Sequence, residues 1–372
     1  LRQWIIQNIT GGMLTKSRTS LHLKPGDLAL PQLPDAAVRT TLEVEGISID
    51  YFDPLPKITG LAGFATITGR NFDMRLWDGA AEGLTMREAR VRIEDLGIRD
   101  DTTIEVEAAG RIGDALRFLA HPLLDYPRRL GIDPAAVTGN VRASLKFSFP
   151  ITYALGPEDV VITATSTLRD VRAAGLFGGM DMGGGPLALT LDDGGMDLVG
   201  PVTLGVVSGE GSWRENFTDQ GPFKRRYTFS GRLTDTQRLA LGLPGGDYIA
   251  GPTDVSVEVT GRADGYRLWR VNADLDDAHI RIPELYWEKA AGVGGLLELR
   301  LNNGPGTPLT VDYFNLAAGD LIAQGRADLD SQTGTLRRLD LDHLAFGETD
   351  VRAALVIDEG GGYRMTIKGP SL

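Results

Sequence analysis

The sequence predicts a mostly β protein: an elongated, curved antiparallel sheet, groove-like or taco-like, with few short helices. Three observations carry this class. Apolar residues recur at every second position along most of the chain, the period of a strand with one wet face. Turn signals return every 8 to 15 residues, among them GGG at Gly183, DDGG at Asp192, PGGD at Pro244, ADGY at Ala263, NNGPG at Asn302 and EGGGY at Glu359. The 48 glycines and 19 prolines exceed the roughly 12% of average usage, which marks a turn-rich chain. Helix-compatible stretches are few.

Residues 1–20, opening LRQWIIQNITGG, read as a connecting segment with an amphipathic helix as the alternative. Residues 21–150 read as a first β-groove segment. There TTIEVEAAG sets Ile104, Val106 and Ala108 against Thr103, Glu105 and Glu107. NVRASLKFSFP sets Val141, Ala143, Leu145, Phe147 and Phe149 against Arg142, Ser144, Lys146 and Ser148. A helical insertion is expected near 113–131, with Leu116, Leu119 and Leu123 on one face and Pro122 and Pro127 limiting its length. Residues 151–372 read as a second β-groove segment, continuous with the first. DVSVEVTGR sets Val255, Val257 and Val259 against Ser256, Glu258 and Thr260, and LLELRLN sets Leu297, Leu299 and Leu301 against Glu298 and Arg300. Strands wet on one side and apolar on the other belong to antiparallel sheet. TDTQRLALG suits a short helix capped by Thr234 or Asp235, with Gly242 just past its end.

A loose theme, a β-rich run closed by Gly and then Arg or Asn, recurs in TITGRN, EAAGRI, TFSGRL, EVTGRA and AQGRA. Its spacing varies too widely for a solenoid or a propeller. Some twenty-five strands at about 4.8 Å would reach roughly 120 Å. A single-layer sheet cannot leave so large an apolar face in water. The face is therefore either a self-packed core or the wall of a groove for lipid-like ligands.

Charge and composition exclude several functions. With 38 basic and 50 acidic residues the net charge is −12, with no basic surplus for nucleic acid. The absence of cysteine removes disulfides, thiolate catalysis and cysteine-ligated zinc. No apolar run of about 18 residues is present to cross a membrane as a helix. The start at Leu1 and the close on TIKGPSL suggest a fragment of a longer protein, whose anchor would lie outside it.

No chemistry-bearing constellation appears. His22, His121, His279 and His343 are scattered and form no HExxH, and VVSGEGSW lacks the leading glycine of a nucleophile elbow. The pairs Asp100–Asp101, Asp192–Asp193 and Asp276–Asp277 lie by turns, where aspartate is a turn former. No enzyme, catalytic residue, metal or cofactor is expected. The one unusual cluster is HIRIPELYWEKAAG from His279. It reads as a corner: Pro283 ends a ladder because it has no donor, Trp287 caps the apolar interior, and Lys289 reaches solvent.

The stretches DLDDAHIRIPELYWEKAAG, GPFKRRYTFSGRLTD and LGLPGGDYIAGP, with SIDYFDPLPKITGLAGFATITGRNFDMRL, RVRIEDL, IGDALRFLAHPLL and AVTGNVRASLKFSFPI, resemble the large AsmA-like envelope proteins of the YhdP type. The resemblance runs from about Leu42 to Leu372 and rests on the order of the stretches. It implies a periplasmic protein held to the inner membrane by a segment outside this sequence. It also implies a bridge-like conduit carrying phospholipid or another acyl-chain lipid between inner and outer membranes, with envelope proteins as partners. The groove wall expected from alternation is Ile104, Val106, Val141, Leu145, Phe147, Phe149, Val255, Val257, Val259, Leu297, Leu299 and Leu301. The rival expectation is an envelope assembly module with the same sheet, a self-packed interior and a protein partner. An enzyme acting on polysaccharide comes third.

Overall fold

The protein is described by a computed structural model over residues 8–50, 55–122, 124–151, 159–177, 179–218, 221–243, 247–307, 309–330, 335–357 and 362–371. Most of Pro244–Asp247, the Glu359 turn and Leu123 lie outside these residues. The chain divides into two compact units, Leu1–Gly194 and Gly195–Leu372. The division therefore falls at 194/195 and not at 150/151, because the strands after residue 150 pair back onto those before it.

The first unit holds β1 (Ile9–Leu21), β2 (Val38–Ile49), β3 (Ile58–Thr68), β4 (Phe72–Ala81), β5 (Leu84–Glu94), β6 (Asp101–Arg111), β7 (Val137–Pro150), β8 (Val161–Phe177), β9 (Met180–Gly184) and β10 (Leu187–Asp192). Each strand from β1 to β8 pairs antiparallel with the next in sequence. The 17-residue β8 is long enough to pair with β10 along its first half and β9 along its second. Residues 9–21, expected as a connecting segment, form β1. The reason is tertiary: LTKSRTSL has little apolar alternation of its own, and its partner β2 supplies the hydrogen bonds, across three register shifts.

The helical insertion consists of α1 (Ile112–Leu119) and α2 (Tyr126–Leu130). Pro127 sits in the first turn of α2, where its missing N–H costs nothing. Ile112 is buried at the start of α1 and faces Gly139 of β7.

The second unit holds β11 (Gly195–Leu204), β12 (Val207–Asn216), β13 (Arg225–Leu233), β14 (Ile249–Ala250), β15 (Thr253–Gly261), β16 (Arg267–Asp274), β17 (His279–Ile282), β18 (Trp287–Lys289), β19 (Gly295–Asn303), β20 (Thr310–Ala318), β21 (Leu321–Leu329), β22 (Leu336–Phe346), β23 (Thr349–Ile357) and β24 (Tyr363–Ser371). Eleven of these form an antiparallel meander. The short β14, β17 and β18 form a separate three-stranded sheet. Between β13 and β14 lies α3 (Asp235–Ala240), whose N-cap Thr234 and Gln237 make a reciprocal capping box. The fold class is thus mostly β and antiparallel, in curved sheet with a few short helices.

Candidate functional site: one apolar face in each unit

Cross-strand register converts the alternation into continuous rows. In the first unit one row runs Leu42–Ala65–Met74–Val91–Ile104–Phe147–Ile162, and a second runs Val44–Gly63–Leu76–Ala89–Val106–Leu145–Ala164–Leu191. Val141 and Phe149 lie on the same face, nearer the two ends of β7.

In the second unit three rows run side by side. The first passes through Leu198, Trp213, Tyr227, Val259, Trp269, Leu301, Val311, Ala327, Leu339 and Leu355. The second passes through Gly211, Phe229, Val257, Val271, Leu299, Phe314, Gly325, Leu341 and Ala353. The third passes through Gly231, Val255, Ala273, Leu297, Leu316, Ala323, Leu344 and Val351.

Every wall residue expected from alternation lies on one of these faces, and every one of them is half-buried. The expectation missed the aromatic members Trp213, Tyr227, Phe229, Trp269 and Phe314. For Tyr227, Phe229 and Trp269 the signal was present, since RRYTFSG and RLWRVNAD alternate Tyr227 and Phe229, and Trp269, Val271 and Ala273, with polar residues. The structure also shows the glycines to be close approaches. A Cβ on Gly325 would lie 2.0 Å from the Asp340 carbonyl oxygen, and one on Gly63 would lie 2.2 Å from that of Arg75. No side chain fits such contacts, so only glycine lets the neighbouring backbone come this close.

Each face is closed in one place. In the first unit Val44, Ile47, Leu61, Leu76, Met86 and Ala89 form a fully buried cluster. In the second, Ala273, Leu275, Ala278, Ile280, Trp287, Ala318 and Leu321 do so, with Val255, Leu297, Leu316 and Leu344 packed against them. The segment from His279 is the cover of this second cluster. Pro283 lies in a 3-10 turn between β17 and β18, and Tyr286 carries the left-handed corner. Trp287 turns inward and donates from Nε1 to Asp320 Oδ1 at 2.8 Å. That bond and one from the Gly347 N–H hold the Asp320 carboxyl below the ordinary aspartate value of 3.8.

Lys289 does not reach solvent; it is 2% exposed. It shares the inward face with Trp287, two residues away, while Glu288 points out. Its ammonium donates to the carbonyl oxygens of Ala278 at 2.8 Å, Ala290 at 3.2 Å and Asp276 at 3.3 Å. Three acceptors match its three donors, so the buried cation is satisfied without a carboxylate.

The opposite faces carry the charge. Asp73 pairs with Arg90 at 2.5 Å, and this hydrogen bond holds the carboxyl below its usual range. Arg92 pairs with Glu105, Arg270 with Glu258, and Arg232 bridges Asp254 and Asp277. A hollow of about 630 Å³ crosses β4–β8 and β10. It is bordered by Arg75, Arg90, Glu105 and Lys146 on one row and Glu88, Glu107 and Ser144 on another. Between these two rows it is also lined by Ala89, Val106, Leu145, Ala164 and Leu191 of the apolar row, so its border is mixed.

One end of the second unit's face is polar and aromatic together. Beyond the first row, on the same face, come Glu215, Arg225, Gly261 and Arg267. Glu215 is buried, ion-paired with Arg225 at 3.2 Å, and accepts from Trp213 Nε1 at 3.2 Å. Trp213 and Tyr227 are in ring contact at 5.6 Å. Burial pushes the Tyr227 phenol up, against the pull of Arg225 and Arg267.

Among the described residues, no group of three or more His, Asp or Glu is placed to hold a metal, and no helix is long and apolar enough to cross a membrane. The histidines sit singly: His121 faces Glu82, His279 faces Glu288, and His343 faces Asp350. No protein-family model, curated protein or solved structure matches the chain. What fold and site define is therefore a class: an antiparallel meander protein with a laterally continuous, half-open apolar face in each unit.

Proposed function

We propose that the protein is a lipid-binding and lipid-transfer module of the cell envelope, carrying phospholipid or other acyl-chain lipid along these faces. The observation that supports this reading most is the half-burial of Ile104, Val106, Leu145, Phe147, Val255, Val257, Val259, Leu297, Leu299 and Leu301. A self-packed core would remove such residues from water, as it does Leu61 and Leu321, which are 1% and 0% exposed. Acyl chains laid across the rows would complete the burial, at about 0.8 kcal/mol per methylene. Because adjacent rows offer nearly the same apolar surface, a chain sliding across strands keeps that term roughly constant. Head groups stay at the wet margin. The sequence resemblance to AsmA-like envelope proteins supports the same reading, with a periplasmic site and an inner-membrane anchor outside this chain.

A second reading is favoured by the two fully buried clusters: an envelope assembly module whose interior is closed and whose partner is a protein. The two readings separate in one experiment. Protein purified without delipidation is examined by native mass spectrometry, and the same sample is extracted for lipid. Co-purified lipid, lost in the double variant Leu145→Asp/Val257→Asp while its circular dichroism is unchanged, is the expected result. A lipid-free wild type, or a double variant that unfolds, would favour the closed module.

A further inference from the structure

The polar end of the second unit's face has a composition that acyl chains alone do not require. Arg225 and Arg267 lie on the two strands flanking Gly261, each opposite it in register. Gly261 has no side chain, and a Cβ there would sit 3.1 Å from Arg225 Cγ, so the stem of Arg225 lies across Gly261, on the strand next to Arg267. The hairpin that joins β15 to β16 adds Arg262, whose guanidinium lies 5.9 Å from the Tyr266 ring centre. Lys224 is fixed at the same place by its backbone bond to Gly261, and its ammonium donates to the Phe217 carbonyl.

Among the described residues, Glu215, paired with Arg225, and Asp264, whose carboxylate accepts from the Tyr266 N–H, stand against these cations. Arg267 is exposed, and no carboxylate among the described residues pairs with it. In a chain of net charge −12, the described residues of this end carry more basic than acidic groups. One row further in lie Trp213, Tyr227 and Trp269, whose rings are apolar in body and polar at the tip. Trp269 Nε1 donates to Asn303 Oδ1 at 3.4 Å. Aromatics of this kind lie where an apolar phase meets water.

We infer that the Arg225–Gly261–Arg267 end seats the anionic phosphate head group of an amphipathic lipid, whose chains lie on Val257, Val259 and Trp269. This rests on the lipid reading above and adds to it a preference by head-group charge. Arg267 supplies the unpaired guanidinium, which suits a phosphate diester. Arg225, neutralised in part by Glu215, positions the seat. A zwitterionic head group carries its own counter-cation beside the phosphate and gains less here.

The test uses the full chain, delipidated, and titration calorimetry with phosphatidylglycerol and phosphatidylcholine of identical short acyl chains, and with glycerol phosphate alone. One charge-assisted contact predicts phosphatidylglycerol binding roughly tenfold tighter than phosphatidylcholine in wild type. Arg267→Gln should erase most of that difference by weakening phosphatidylglycerol more than phosphatidylcholine, and Arg267→Lys should restore part of it. Equal wild-type affinities for the two lipids would overturn the head-group seat and leave the lipid reading standing. Failure of both lipids to bind would overturn the lipid reading itself. Glycerol phosphate binding as tightly as phosphatidylglycerol would assign the arginines to a free phosphate. Arg267→Gln weakening both lipids equally would make this residue part of the chain seat instead.

Discussion

Lys289 and Asp320 hold the cover of the second unit's buried cluster from two sides, and both roles can be measured. Lys289→Ala leaves the carbonyls of Asp276, Ala278 and Ala290 without their donor and opens space beside Trp287. A loss of about 2–4 kcal/mol is expected in denaturant unfolding, with the near-ultraviolet signal of Trp287 weakened. Lys289→Met keeps the stem and should lose less. Asp320 has a depressed folded pKa, so its contribution is present above the unfolded aspartate value and is lost as pH falls through the folded one. The stability difference between wild type and Asp320→Asn should therefore be constant above about pH 5 and shrink below the ordinary value of 3.8. A difference that persists unchanged to lower pH would show that the charge of Asp320 is not what Trp287 and Gly347 need. Sequence placed Trp287 at the interior but sent Lys289 to solvent, because a strand of three residues has too little alternation to assign faces.

At the scale of elements, the meander depends on glycines that admit a neighbouring carbonyl. Gly325→Ala would force its Cβ against the Asp340 oxygen and push β21 and β22 apart. The expected cost is about 1–3 kcal/mol, read as a lowered melting temperature and faster amide exchange in β22. Thr234→Ala removes the capping box of α3 and should cost about 1 kcal/mol. The strands with strict alternation, β6, β7, β15 and β19, were legible from sequence, as was α3, whose cap was left between Thr234 and Asp235 and is Thr234. β1 was not. Nearly every residue of β1 is exposed, and its pairing with β2 satisfies backbone groups without burying a patterned face.

For the whole molecule, the lipid-transfer reading predicts that the face of each unit is needed. Leu145→Asp or Val257→Asp alone should leave lipid bound to the unaltered unit, seen by native mass spectrometry, yet stop vesicle-to-vesicle transfer. Transfer that survives both single substitutions would remove these rows from the path. Charge on the other side of the strand should make no difference: Lys146→Gln, next to Leu145 and of opposite parity, is expected to leave lipid capture unchanged.

Sequence by itself determined the period, and with it the class: an alternation of two residues can only be satisfied by strands with one apolar face, and the frequent turns make those strands antiparallel neighbours. It also determined which residues share that face, since parity along a strand is local. Only the tertiary structure decided how far the faces are covered. Burial of Leu61 and Leu321, half-burial of Val106 and Val257, and the ring of carbonyls around Lys289 depend on contacts between residues far apart in the chain. The same is true of the meeting of Arg225 and Arg267 across Gly261, which register alone brings about.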